Sequence, residues 1–163
     1  MNITEFLEAR IAEDETVARL ASSDGPSWDI VSGFGGATGA IHAGGEVITD
    51  EDGDESYYGG SVIVYDEGTP DHTQAQHIAR NDPTRVLAEC AAKRAIIAHH
   101  TEDWGDCTVC LDGVSGCGDP ACCGGPTNEM ESWPCPTIRA VVAVYADHPD
   151  YLQEWTADTP SQS

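Results

Sequence analysis

The chain has 163 residues, 40% of them hydrophobic, and sets 29 acidic against 7 basic side chains for a formal net charge of −22. Its length predicts one domain, residues 1–155, large enough to bury a core. Its charge repels phosphate backbones and anionic membrane surfaces, and no apolar stretch approaches membrane-spanning length; both argue against direct nucleic-acid binding and against a membrane protein.

Residues 1–21 read as an amphipathic helix. Asn2 or Thr4 can cap it, Glu5 completes a capping box with Asn2, and Ile3, Phe6, Leu7, Ile11 and Val17 form the apolar stripe. Residues 1–15 carry neither a basic start nor an apolar signal region, which gives the expectation of a cytoplasmic protein. Thiols are reduced in that setting, so clustered cysteines read as metal ligands or redox groups before disulfides.

Residues 28–65 read as a small antiparallel β-meander, with strand-like runs at 28–31, 46–49 and 61–65. Between the first two, Gly33, Gly35 and Gly36 precede Thr38 where a dinucleotide fingerprint wants a small residue. No Gly-Lys-Ser/Thr follows, so the stretch up to Gly45 reads as a flexible loop. Asp50, Asp52 and Asp54 resemble half of a calcium loop. Glu55 stands where the turn glycine belongs and Ser61 where the bidentate Glu belongs, which leaves a solvated hairpin turn.

Residues 71–155 read as a helical part. Asp71 and Gln74 box a short helix that runs to Arg80, and Asp82-Pro83 opens a longer one over 83–100. Its apolar side carries Val86, Leu87, Cys90, Ala91 and Ile97. Arg80, Arg85, Lys93 and Arg94 are expected to pair with acidic neighbours. Ile138, Val141, Val142 and Tyr145 give the cleanest helical stripe of the chain, Asp147-His148-Pro149 breaks it, and Tyr151, Leu152 and Trp155 form a short amphipathic tail. Residues 156–163 are expected to be disordered.

Six of the seven cysteines, Cys107, Cys110, Cys117, Cys122, Cys123 and Cys135, fall in the loop over 100–135, with His100 just upstream. The Cys-x-x-Cys of Cys107 and Cys110 lets two sulfurs converge on one ion, which points to tetrahedral Zn2+. Cys135 precedes the last helix and His100 ends the one before, so His100, Cys107, Cys110 and Cys135 would clamp two helices and a loop. The fourth ligand stays open: His99, Cys117, Cys122 and Cys123 compete with His100, and a site made wholly of thiolates is a rival. Cys90 reads as a buried small residue.

No catalytic constellation accompanies the cysteines. His-x-Glu with Pro-Cys-x-x-Cys and His-Glu-x-x-His are both missing, and Asp106 to Gly113 reads as loop rather than as a thioredoxin-like strand and helix. His72 and His77 could serve as general bases, but no motif places a Ser or Cys nucleophile; His77 reads as a local packing or capping residue and His148, before Pro149, as a turn residue.

Long strings carry a resemblance: Tyr65-Asp66-Glu67-Gly68, the run from His77 to Leu87 (HIARNDPTRVL), Ala92-Lys93-Arg94, Pro134-Cys135-Pro136-Thr137-Ile138-Arg139, the run from Tyr145 to Tyr151 (YADHPDY) and Glu154-Trp155. The chain resembles an uncharacterised family, a domain of unknown function, of small proteins from actinobacteria and their phages. The resemblance covers the N-terminal helix and most of 61–155. It implies a His, a Cys-x-x-Cys and a last Cys at His100, Cys107, Cys110 and Cys135. The loops over 33–60 are longer than the family pattern, and the insert over 111–131 is extra.

These readings give an α+β chain: an N-terminal helix, a small antiparallel β-meander and a helical C-terminal half with a zinc-binding loop. The expected function is that of a non-enzymatic, zinc-stabilised accessory or interaction protein with an unidentified protein partner, plausibly phage-encoded. Two alternatives stand beside it: a thiolate–zinc redox switch, suggested by the surplus cysteines, and an acidic nucleic-acid mimic that inhibits a basic host protein.

Overall fold

The computed structural model describes residues 1–32, 38–53, 55–64, 70–111 and 130–156. Among them it is an α+β chain of four α-helices and eight short strands, and its contacts gather into two units. One unit is 1–11 with 91–163, the other is 12–90.

Helix α1 (Ile3–Ala21) starts where its cap demands. Glu5 N–H donates to Asn2 Oδ1 at 2.8 Å and Asn2 N–H donates to Glu5 Oε2 at 2.9 Å, a reciprocal capping box. Ile3, Phe6, Leu7 and Ile11 are buried as the stripe predicts. Val17 departs from that stripe: it is 67% exposed and Ala18 is buried instead. A 3.6-residue period drifts off a straight stripe after three turns, so the neighbouring position takes over.

In the 12–90 unit, β1 (Trp28–Ser32), β2 (Thr38–Ala43) and β5 (Ser61–Val64) form an antiparallel sheet in the order β1-β2-β5. Ile30 pairs with Ile41, and Ile41 with Val64. The central strand β2 lies where the sequence reads as flexible loop. Its Ala40, Ile41 and Ala43 are buried, so burial fixes a strand in residues of modest β-propensity. Strands β3 (Glu46–Thr49) and β4 (Glu55–Tyr58) pair as a separate hairpin. At its turn Gly53 N–H donates to the Asp50 carbonyl at 3.1 Å and Asp52 N–H to Asp50 Oδ1 at 3.0 Å. That is the solvated turn expected of Asp50 and Asp52; Asp54 lies outside the described residues. Between the two sheets the chain crosses itself at Gly60, with φ 84°, where an added Cβ would lie 1.9 Å from the Gly44 carbonyl oxygen. Only glycine allows that approach.

Helix α2 (His72–Arg80) has the Asp71–Gln74 capping box and packs against β1 and β2. Helix α3 (Pro83–His99) begins at Asp82, whose Oδ1 accepts from Arg85 N–H at 2.8 Å. Cys90 and Ile97 are buried along it, Val86 and Leu87 half-buried, and Ala91 exposed. Arg85 pairs with Glu89 and Arg94 with Glu8; Lys93 donates to Tyr145 Oη at 3.1 Å.

In the other unit, Phe6 meets Trp155, Tyr151, Tyr145 and His148 through ring contacts of 5.0–6.3 Å. The predicted C-terminal stripe supplies this core. Ile138 and Val142 of α4 (Pro136–Val142) are buried, a 3-10 turn continues over Ala143–Tyr145, and a second spans Gln153–Trp155. Aromatic edges and faces attract beyond area burial alone. Residues 157–163, most of the expected disordered tail, lie outside the described residues. Among the described residues no helix is long and apolar enough to cross a membrane.

Candidate metal centre

The region between α3 and α4 contains strands where the sequence reads as loop. Strands β6 (Glu102–Asp103), β7 (Asp106–Leu111) and β8 (Met130–Ser132) form an antiparallel sheet in the order β6-β7-β8. β6 and β7 pair as Glu102 with Cys107 and Asp103 with Asp106, which leaves Trp104 and Gly105 as a two-residue turn. Their φ values, 55° and 92°, are those of a type I′ hairpin turn. The signal was available, because a glycine in the second central position marks this turn. It is masked by a tryptophan in the first position.

Strand β7 does not pair evenly with β8. Asp106 faces Ser132 and Leu111 faces Met130, so five steps along β7 match two along β8. The extra residues bulge, and the bulge holds Cys107 and Cys110. It curls the chain so that the N–H groups of Val109 and Cys110 reach the Cys107 sulfur.

Three elements then bring four donors together. His100 follows α3, with its N–H donating to the Ile96 carbonyl at 3.0 Å. Cys107 and Cys110 come from the β7 bulge. Cys135 is the N-cap residue of α4, and Arg139 N–H donates to its carbonyl at 3.0 Å. Arg139 also anchors the preceding peptide: its Nε donates to the Pro134 carbonyl at 2.8 Å and its Nη1 to the Glu154 carbonyl at 3.0 Å. Trp133 N–H donates to the Gly105 carbonyl at 2.8 Å, tying the approach to Cys135 to the hairpin turn.

The donor atoms all lie within 4.8 Å of one another, and Cys107 and Cys135 are fully buried. His100 Nδ1 stands 3.5 Å from Cys107 Sγ, 3.4 Å from Cys110 Sγ and 3.5 Å from Cys135 Sγ. Hydrogen bonding does not account for this convergence, because one Nδ1 carries either one proton or one lone pair. A shared cation would. Bonds of about 2.3 Å to sulfur and 2.0–2.1 Å to nitrogen, at the tetrahedral angle, put N and S about 3.6 Å apart. The four residues could hold a metal ion.

Electrostatics agree. Burial pushes the Cys107 thiol up, but the N–H groups of Val109 and Cys110, with His100 and Cys135, outweigh it and bring the thiol down to about 7. Burial pushes Cys110 up to about 12, reinforced by the hydrogen bonds and charges of Cys135 and Cys107. Adjacent sulfurs thus oppose each other's ionisation, and a divalent cation between them would turn that repulsion into attraction.

Among the other residues weighed from the sequence, His99 is exposed and its ring meets the edge of His100 at 5.7 Å without joining the donor set. Cys117, Cys122 and Cys123 lie outside the described residues. Cys90 is buried on α3. His72 contacts Gln76 at 3.0 Å, the His77 carbonyl accepts from Asn81 Nδ2 at 2.7 Å, and His148 Nδ1 accepts from Asp150 N–H at 3.1 Å. His72 and His77 are engaged locally, whereas His148 also meets Arg10 and the Phe6 ring, residues distant in the chain.

No curated protein and no solved structure matches the chain. A family model does match, over residues 1–157, a span that contains all four clustered donors and the strings quoted above. The chain belongs to DUF6221, a family of unknown function.

Proposed function

We propose that His100, Cys107, Cys110 and Cys135 bind one structural Zn2+, and that the chain is a non-enzymatic accessory or interaction protein of the cytoplasm. The observation that carries this reading is the placement of three sulfurs at 3.4–3.5 Å around one imidazole nitrogen. Thiolate and imidazole are zinc's preferred partners, and four protein donors fill its tetrahedron. A catalytic zinc keeps a position open for water, so a full donor set favours a structural role. Reduced thiols are needed for such a site, in keeping with a cytoplasmic setting.

Native mass spectrometry with metal analysis tests the proposal. The expected result is one zinc per chain, lost or weakened in Cys135→Ser and in His100→Ala. A chain purified without metal that takes up no added zinc overturns the site. Full zinc retention in His100→Ala overturns His100 as the fourth ligand.

A further inference from the structure

We infer that the tip of the β6–β7 hairpin is a docking point for an arginine-bearing segment of a basic protein partner, with Trp104 as the stacking platform. This deepens the reading of an interaction protein and rests on the metal clamp that holds the hairpin. Trp104 is 98% exposed, whereas Trp155 of the same unit is buried. A solitary exposed apolar residue is ordinary on a protein surface. This one is also placed against its backbone preference, at φ 55° in a turn position that favours Asn, Asp or Gly. Beside it Asp103 sits directly opposite Asp106, a like-charge cross-strand pair that weakens a hairpin. Local rules broken together at one exposed point are characteristic of a binding feature.

The hairpin that carries the platform is tied at its base and at its turn. Thr108 N–H donates to the Thr101 carbonyl at 2.9 Å, and the two hydroxyls meet at 3.0 Å at the base of the hairpin. The Gly105 carbonyl is held by Trp133 N–H, and Cys107 enters the metal centre one residue beyond the closing pair. Binding there orders little backbone, which favours affinity.

Charge selects the occupant. Glu102 and Asp103 immediately precede Trp104, both exposed, on a chain of net charge −22. A guanidinium can lie flat on an indole face while its N–H groups point to flanking carboxylates, and tryptophan is the best aromatic partner for a cation. Nucleic-acid bases also stack on tryptophan, but their phosphates are repelled here. A second copy of the chain carries the same net charge and is repelled as well.

The test compares the whole zinc-loaded protein with Trp104→Asn, binding a fluorescent nine-residue peptide of alternating Arg and Gly at 0.15 M salt. Asn suits the type I′ turn and leaves the net charge unchanged, so the variant removes stacking alone. The expected result is an affinity about tenfold weaker, with zinc content kept and the melting temperature equal or higher. Equal peptide affinity in both proteins overturns the proposal. So does tighter binding of a single-stranded oligonucleotide through Trp104, or a wild-type dimer that Trp104→Asn dissociates in sedimentation. Zinc content is read separately, so an absent metal with Trp104-dependent peptide binding would sink the clamp and spare the docking point.

Discussion

The sheet β1–β2–β5 buries Ala40, Ile41 and Ala43 of its central strand and has α2 packed against it, whereas in β6–β7–β8 the one buried side chain among those described is Cys107. Both sheets have three antiparallel strands, yet the first is stabilised by removing apolar area from water and the second, among its described side chains, buries almost none. Two of its three strands are also shorter, two residues in β6 and three in β8. Such a sheet is marginal in water unless something else joins its strands. With the proposed zinc bound, the donor set would supply that, and the comparison suggests a role for the cysteines: they stand where a core would be.

The largest expected effect follows. Structural zinc in small peptides is worth about 10–16 kcal/mol at neutral pH. Stripping the metal, or Cys107→Ser, should therefore remove hydrogen-exchange protection from the amides of β6 and β7 while β1, β2 and β5 keep theirs. Mass-resolved exchange before and after chelation checks it. Unchanged protection in the metal-free protein would mean that the second sheet stands without its ion.

The converse perturbation acts on the other sheet. Ile41 is fully buried at the centre of β2. Ile41→Ala should cost about 2–5 kcal/mol in urea denaturation, the transfer term plus a cavity term. Metal stoichiometry should stay at one per chain. Loss of zinc in this variant would show that the two sheets do not stand on separate supports.

Acid distinguishes the two supports more gently. Protons compete with a cation for sulfur, so metal affinity rises with pH and falls as pH falls. With Cys110 pushed up to about 12, binding at neutral pH displaces its proton, a tenfold change in affinity per pH unit. Cys107, at about 7, adds a further loss below neutrality. Competition with a zinc indicator should show affinity dropping at least about a hundredfold from pH 8 to pH 6, or about 2.7 kcal/mol. Apolar burial in β1–β2–β5 has no such dependence.

What the sequence revealed follows the same division between local and long-range causes. The capping boxes of Asn2 with Glu5 and Asp71 with Gln74 act within four residues, and both appear as read. The residue types at His100, Cys107, Cys110 and Cys135 announced metal chemistry because few other roles need that set, and they do lie together. Strand β2 was hidden because Thr-Gly-Ala-Ile-His-Ala carries little β signal. It becomes a strand only by lying between β1 and β5, partners distant in the chain. The strand at Asp106–Leu111 was read as loop for a related reason: its bulge breaks alternation, and its pairing with β8 bridges a separation of about twenty residues that no local pattern reports. Val17 and Ala18 exchanged roles because a helical stripe fixes a face and not a single position.

The smallest effect tests the helix on the apolar sheet. Asp71 Oδ1 accepts from Gln74 N–H at 2.9 Å, and Gln74 Oε1 accepts from Asp71 N–H at 2.9 Å. Asp71→Ala removes the first bond and leaves the second, so the cost should be about 1 kcal/mol. For a chain of this size that lowers the melting temperature by about 2–4 °C. The change should be confined to the 12–90 unit, because α2 packs on β1 and β2 and supplies none of the four donors. Exchange should quicken at the first turn of α2 while zinc affinity stays at the wild-type value. A variant that loses metal as readily as it loses helix would contradict the division of labour, since a cap acts through its own helix and that helix bears on a sheet that supplies none of the four donors.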